Sequence, residues 1–411
     1  MSIEGLRCKE CGTAYPLEAL YVCDRCFGPL EVTYDHSGLD PAALKRKIQA
    51  GTNGIWRYAD FLPFESRPVS ALEPGLTPLV RADRLAERLG VGEIWVKNDA
   101  ANPTHSFKDR VVAVALAKAI ELGFDTVACA STGNLANAVA AHAAAAGVKS
   151  YVFVPADLEE QKLLATAVYG TTLVGVNGSY DDVNRLCTQL AEERGWGFVN
   201  VNLRPYYAEG SKTLAYETAE QLGWRLPDKI VCPIASGSLF TRIACGFTEW
   251  LDLGLIEGEL PTFHGAQAAG CGPVATAFAD GVDVVRPVKP NTIAKSLAIG
   301  TPADGPYALE LARGTGGSIE SVTDDEIRAG IRLLAETTGI FTETAGGVTT
   351  ATVAKLAKAG TLGPDDSVVV YITGEGLKTL DAVREGFTMH EIEPTVESFS
   401  DRVGDRLGAT A

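Results

Sequence analysis

From about residue 90 onward, short runs of β-branched and apolar residues alternate with longer stretches whose apolar positions recur at helical spacing. The first run, residues 93–97, reads as a strand and leads through a loop over 98–106 into a helix over 107–122, stopped by Gly123 as a left-handed cap. Strand 126–130, helix 134–146, strand 150–154, a helix over 158–169, strand 171–176 and helix 181–194 follow. The pattern resumes with helix 211–222, strand 229–233, helix 239–251 and strand 263–267. Thr323 and Glu326 make the capping box of a helix reaching Thr338, and helix 347–359 precedes a last strand over 367–372. Such alternation predicts an α/β fold of open, mainly parallel sheets covered by helices on both faces.

The 411 residues suffice for two domains at roughly 100–200 residues each. Hydrophobic (46%) and charged (21%) fractions are those of a globular chain, which sets aside fibrous and disordered classes. The 36 basic residues fall short of the 52 acidic ones, and the net charge of −16 argues against nucleic-acid binding and against a basic membrane-surface role. An anionic ligand would need a site that gathers its own positive charge against that field. The opening MSIEGLRCKE carries an acid and no apolar core of a secretory signal, and apolar runs such as 111–117 fall far short of the ~20 residues of a membrane span. The expectation is a soluble, cytoplasmic protein with no membrane partner.

Nine cysteines fall into two groups. Cys129, Cys187, Cys232, Cys245 and Cys271 are scattered in apolar surroundings and read as small core residues of a reducing compartment. Cys8, Cys11, Cys23 and Cys26 form two C-x2-C pairs, with Gly12, Gly28 and Pro29 as turn residues. That spacing converges four thiolates on one tetrahedral ion and predicts a structural zinc ribbon, closed to water; unrelated thiols or a redox pair are the alternative. A segment this short buries little core of its own, so the metal would act as a staple.

In parallel α/β folds, ligands occupy the loops after the carboxyl ends of strands, where helix N-termini offer free N–H groups. Four loops carry suitable residues. In Asn102-Pro103-Thr104-His105-Ser106-Phe107-Lys108-Asp109-Arg110, Lys108 sits at a helix mouth, where the positive dipole end favours a neutral nucleophilic amine; the alternative is a solvated surface lysine. Ser131-Thr132-Gly133-Asn134 suits a carboxylate or phosphate, or is an ordinary helix cap. Ala235-Ser236-Gly237-Ser238-Leu239 lets backbone wrap an anion, and it lacks the lysine of a nucleotide-binding P-loop. Thr373-Gly374-Glu375-Gly376-Leu377-Lys378 is by itself a glycine turn.

In this order, the four loops resemble those of the fold-type II family of pyridoxal-phosphate enzymes, and within it the threonine synthase branch. The family pattern N-P-T-G-S-F-K-D-R matches residues 102–110 except at His105, where glycine is usual; S-T-G-N matches 131–134 and T-G-x-G-L-K matches 373–378. The resemblance covers essentially the whole chain after the ribbon, and a ribbon-like extension is similar to that of some archaeal and bacterial members. It implies a tryptophan synthase β-like body: a large cofactor domain of residues 36–112 and 214–411, and a small mobile domain of 113–213, behind a ribbon of 1–35. It also implies a homodimer. Carried over residue by residue, it makes Lys108 the lysine that bonds the cofactor aldehyde and Asn134 the donor to the ring hydroxyl oxygen. Ala235, Ser236, Gly237, Ser238 and Leu239 would cradle the phosphate, and Thr373 would meet the pyridine nitrogen. The phosphate loop departs from the glycine- and asparagine-rich form of many relatives.

The implied activity turns O-phospho-L-homoserine and water into L-threonine and phosphate, with Lys108 as general base at Cα. Ser131, Thr132 and the N–H groups around Asn134 are candidates for the substrate carboxylate, and Lys97 and Arg110 for the substrate phosphate, unless these two are structural ion pairs. Rivals on the same scaffold are cysteate synthase, from O-phosphoserine and sulfite, and a serine/threonine deaminase. A non-enzymatic regulator would require Lys108 or the cofactor loops to be lost, and both are present. His36, His142, His264 and His390 lack ligand spacing; His142 reads as a packed helix residue and His264 as structural.

Overall fold

The structure, a computed structural model, describes residues 2–65, 68, 72–156, 160–178 and 180–404. Among them run strands β1 (Ser2–Cys8), β2 (Ala14–Tyr15), β3 (Leu30–Asp35), β4 (Leu79–Arg81), β5 (Glu93–Asn98), β6 (Thr126–Ala130), β7 (Lys149–Pro155), β8 (Thr172–Val176), β9 (Gly197–Phe198), β10 (Lys229–Pro233), β11 (Thr262–Ala268), β12 (Ile319–Val322) and β13 (Ser367–Ile372). The principal helices are α1 (Pro41–Gln49), α2 (Asp83–Leu89), α3 (Lys108–Glu121), α4 (Asn134–Ala146), α5 (Glu160–Ala167), α6 (Tyr180–Arg194), α7 (Arg204–Gln221), α8 (Ser238–Asp252), α9 (Pro273–Ala279), α10 (Gly305–Gly314), α11 (Asp324–Thr338) and α12 (Thr344–Lys358).

The strands form three sheets: an antiparallel trio β2-β1-β3, a six-stranded sheet in the order β12-β11-β10-β13-β5-β4, and a four-stranded sheet β8-β7-β6-β9. All strand pairs of the four-stranded sheet are parallel, and those of the six-stranded sheet are parallel except for the edge strand β4, which runs antiparallel to β5. Sequence pattern passes over β4, β12, α1, α2, α9 and α10, which are short or lack a clean apolar stripe. Residues 158 and 159 of the predicted helix 158–169 lie outside the described residues. Among the described residues no helix is long and apolar enough to cross a membrane.

Two helix starts differ from expectation. The helix predicted from 211 begins at Arg204, with Pro205 in its first turn, where the missing N–H costs nothing. Its Gly210 marks a crossing: a Cβ there would lie 2.6 Å from the Arg110 carbonyl oxygen of α3. Likewise α12 begins at Thr344, ahead of Gly347, where a Cβ would lie 2.6 Å from Ile331 of α11. The predicted domain limits at 112/113 and 213/214 fall inside α3 and α7, the two helices that carry the chain between the large sheets.

The antiparallel trio shares one hydrophobic cluster with the body, in which Leu6, Cys8, Cys23 and Leu30 pack with Val112, Leu116 and Tyr206. Polar ties join it to α7, α8 and α10: Tyr34 Oη donates to Glu209 at 2.6 Å, Arg242 to Glu31 at 2.5 Å, and Tyr307 to Glu10. Of the five scattered cysteines, Cys129, Cys187, Cys232 and Cys271 are buried, whereas Cys245 is half-exposed beside this junction.

Between the sheets lies a buried ion cluster. Arg110, fully buried on α3, donates to Asp99 Oδ2 and Oδ1 at 2.7 and 2.8 Å and to Glu217 Oε2 of α7 at 2.7 Å. Lys97 of β5, equally buried, donates to Glu217 at 2.7 Å and to the Thr77 carbonyl at 2.7 Å. Burial pushes the Glu217 carboxyl up, but Arg110 and Lys97 overturn it and hold it down at about 2.

Removing one partner from such a cluster strands a buried charge, so Arg110→Met is expected to lower unfolding free energy by about 3–5 kcal/mol in urea titration. Glu217 is ionised in the fold at a pH where the unfolded chain binds its proton. Its contribution is therefore complete above the ordinary value of 4.5 and is lost as pH falls through about 2. In Glu217→Gln, stability should lose that part of its pH dependence; an unchanged acid profile would refute the assignment.

Candidate active site

The six-stranded sheet sets three of the four loops side by side. β13 lies between β10 and β5, so the loop that begins at Thr373 is flanked by the loop after β10, carrying Ser236 to Ser238, and the loop after β5, leading to Lys108. The fourth loop, Ser131 to Gly133, follows β6 of the other sheet.

Backbone hydrogen bonds fasten these loops together. Phe107 N–H donates to the Thr373 carbonyl at 2.9 Å, Glu375 N–H to the His105 carbonyl at 3.2 Å, and Glu343 N–H to the Gly374 carbonyl at 3.1 Å. Lys108 opens α3 and is half-buried; its Nζ donates to Tyr207 Oη at 2.6 Å and lies 4.4 Å from the centre of the Phe107 ring. Its neighbour Asp109 is buried and turns elsewhere, accepting from Thr104 N–H at 2.8 Å and meeting His142 Nε2 at 3.0 Å. His142 is thus more than packing: it ties α4 to the lysine loop.

His105, where the family pattern has glycine, has φ +62° and stands exposed. The left-handed backbone explains the family preference, since a Cβ in that region is penalised. The loop fold survives because Asp109 organises it from within.

Asn134, the first residue of α4, meets two groups to which the sequence assigns no role, Glu343 and Lys378. Its Nδ2 donates to Glu343 Oε1 and Oε2 at 3.1 and 3.0 Å, and its Oδ1 accepts from Lys378 Nζ at 2.8 Å. Burial pushes the Glu343 carboxyl up and lowers the Lys378 amine. Lys378 closes the T-G-x-G-L-K run and was legible as part of a motif, whereas Glu343 and Tyr207 stand on no recognised pattern.

Ser236, Gly237 and Ser238 wrap the N-terminus of α8, a 15-residue helix whose first N–H groups have no intrahelical partner. Gly237 has φ +98°, and a Cβ there would lie 2.6 Å from the Asp304 carbonyl oxygen. Asp304 in turn donates its N–H to Ser236 O at 2.8 Å and accepts two bonds from Arg204 at 2.9 Å. Arg204 and Tyr207 share the first turn of α7, so that turn supports both the loop and the lysine.

Lys97 and Arg110 do not reach this site. Both are fully buried, Arg110 committed to Asp99 and Glu217 and Lys97 to Glu217, so of the two readings the structural ion pair holds and the expectation that they bind a substrate phosphate is corrected: each charge is already neutralised inside the core. Ser131 and Thr132 are half-buried at the start of α4, where Gly133 N–H donates to Ser131 Oγ at 3.3 Å. His264 is buried on β11, its Nδ1 3.0 Å from Ser318 Oγ, and burial holds it down at about 4.

The donor set fits a phosphorylated pyridine aldehyde: an amine at a helix mouth, an amide, a hydroxyl on Thr373 and a helix N-terminus with serines. Two buried hydroxyls, Ser106 Oγ in the loop that leads to Lys108 and Thr344 Oγ1 at the start of α12, have no hydrogen-bond partner among the described residues. Buried polar atoms left this way cost about 1–3 kcal/mol each, and they are what a cleft shaped around a polar ligand retains.

At the ribbon, the four Sγ atoms of Cys8, Cys11, Cys23 and Cys26 lie within 4.8 Å of one another, with Cys8–Cys26 at 3.4 Å and Cys11–Cys23 at 3.6 Å. Tetrahedral Zn–S bonds of about 2.3 Å place sulfurs roughly 3.8 Å apart, so the spacing suits one such ion.

A family model described as "Pyridoxal-phosphate dependent enzyme" matches residues 71–374. The chain is 39% identical to a threonine synthase of Methanocaldococcus jannaschii over 381 residues, 92% of this chain and 93% of that protein. It is also 39% identical to one from Methanosarcina acetivorans over 376 residues, 91% and 92% of the two chains. Among solved structures, the processed form of threonine deaminase isoform 2 from Solanum lycopersicum aligns with a TM-score of 0.65 at 20% identity, over 86% of this chain and 90% of that one, a likeness of fold.

Replacing His105 by glycine relieves the left-handed backbone and should raise stability by up to about 1 kcal/mol in denaturant titration. A destabilised His105→Gly would show that the imidazole makes a compensating contact.

Proposed function

This chain belongs to the pyridoxal-phosphate-dependent enzymes, and on that premise we propose that it is a threonine synthase, converting O-phospho-L-homoserine and water into L-threonine and phosphate. The observation that carries the reading is Lys108 at the mouth of α3, held by Tyr207 beside Asn134, in a chain that matches threonine synthases over nine-tenths of its length. The deaminase and cysteate synthase alternatives have less support, because the deaminase likeness lies in fold at 20% identity.

The bound cofactor supplies an electron sink that makes the substrate's Cα proton removable. Lys108 is the residue that holds it by its aldehyde and the base that takes the Cα proton and returns protons along the side chain. Asn134 donates to the ring hydroxyl oxygen and the hydroxyl of Thr373 meets the pyridine nitrogen. Ala235, Ser236, Gly237, Ser238 and Leu239 hold the phosphate with backbone N–H groups at the positive end of α8. Ser131, Thr132 and the N–H groups at the start of α4 receive the substrate carboxylate. Tyr207 Oη, accepting from Lys108, keeps the amine turned into the cleft.

In this reading residues 113–213 move as a small unit against residues 36–112 and 214–411, so the loop from Ser131 closes on substrate held at the larger sheet. The four cysteines hold a structural zinc ion that staples residues 1–35, and the enzyme works in the cytoplasm as a homodimer. Buried free thiols and a thiolate site both suit a reducing compartment.

With O-phosphohomoserine, phosphate release should match threonine formation mole for mole, while O-phosphoserine plus sulfite should yield neither phosphate nor cysteate; the opposite pattern would replace the assignment. Lys108→Ala should lose turnover and the visible absorbance of the reconstituted enzyme while keeping its denaturation midpoint. Freshly prepared, reduced protein should contain about one zinc per chain. Cys8→Ser should lose that metal together with thermal stability, and a metal-free protein indifferent to Cys8→Ser would remove the staple.

A further inference from the structure

Asn134 stands between two side chains of opposite charge that the scheme above leaves without a task. Lys378 Nζ donates to Asn134 Oδ1 at 2.8 Å and to the Thr104 carbonyl at 2.6 Å, while Asn134 Nδ2 faces both oxygens of the buried Glu343 at 3.0 and 3.1 Å. A side-chain amide has two orientations, which exchange its oxygen and its NH2 group. One sets oxygen against ammonium and NH2 against carboxylate. The other sets donor against donor and acceptor against acceptor.

We propose that Lys378 and Glu343 are positioning residues that lock the Asn134 amide in one orientation, with one N–H held by Glu343 and the second left for the cofactor's ring oxygen. The inference rests on the assignment of Asn134 to that oxygen. Both members of the pair are fastened to the loops that carry the other cofactor contacts. Glu343 N–H is bonded to Gly374 O, next to Thr373, and Lys378 reaches Thr104, in the loop that leads to Lys108. The amide therefore takes its direction from the same two loops that place Thr373 and Lys108.

Wild type and the variants Lys378→Met, Lys378→Arg, Glu343→Gln and Asn134→Ala would be reconstituted with pyridoxal phosphate, and the dissociation constant and visible absorption maximum measured, with circular dichroism to report the fold. Lys378→Met and Glu343→Gln should each bind roughly tenfold more weakly, the scale of one charge-assisted hydrogen bond, with a displaced maximum. Lys378→Arg should restore the wild-type maximum. Lys378→Met combined with Asn134→Ala should bind no more weakly than Asn134→Ala alone, since the lysine acts through the amide. Wild-type affinity and spectrum in both Lys378→Met and Glu343→Gln, or multiplicative losses in the double variant, would overturn the proposal. If Lys378→Met does not fold, the near-isosteric Glu343→Gln decides by the same two measurements. A wild-type chain that takes up no pyridoxal phosphate would overturn the parent reading; normal uptake beside unaffected variants overturns this one alone.

Discussion

The guanidinium of Arg110 has to be neutralised where it lies, and much of the molecule is arranged around that need. Asp99 comes from the turn after β5, Glu217 from α7 and Lys97 from β5, while Glu217 also accepts the Leu76 N–H and Thr77 hydroxyl donates to Asp99. Four segments distant in sequence are thereby brought to one point. A hydrophobic contact would tolerate a shifted helix, but an ion without its counter-ion in the interior does not. α3 is therefore fixed in both rotation and depth, and with it the lysine at its mouth.

Much of this was legible in the chain, and what was not has physical reasons. Strands β10 and β13 and helix α4 match their predicted spans, because fully buried parallel strands and glycine-stopped helices announce themselves. The four-cysteine cluster was readable from spacing alone, since two knuckles can converge locally. Arg110 and Lys97 stand beside the cofactor motif, so the sequence leaves them open as anion binders or as structural ion pairs. Their real partner, Glu217, is more than 100 residues away from either and looks like any helix glutamate. Glu343 and Tyr207 were invisible for the same reason: each acquires its role only when the parallel sheet lays loops from distant strands side by side.

Three consecutive residues show how the site is placed. Lys108, Asp109 and Arg110 leave one turn of helix about 100° apart and go to three destinations: the cleft, the loop and α4, and the core cluster. The two side chains that follow Lys108 are fully buried and satisfied, so its amine can be mobile without its backbone moving. Rigid support for a reactive side chain is obtained here from the neighbours' charges.

The bond between His142 and Asp109 bears on how α4, and the four-stranded sheet it covers, is held. α4 is held at its first residue through the Asn134 amide and again eight residues later through His142, roughly 12 Å along the same axis. Two fixed points on one rod define a pivot line. Turning the sheet about that line leaves both bonds unstretched, whereas tilting the rod or sliding it along its length breaks at least one of them.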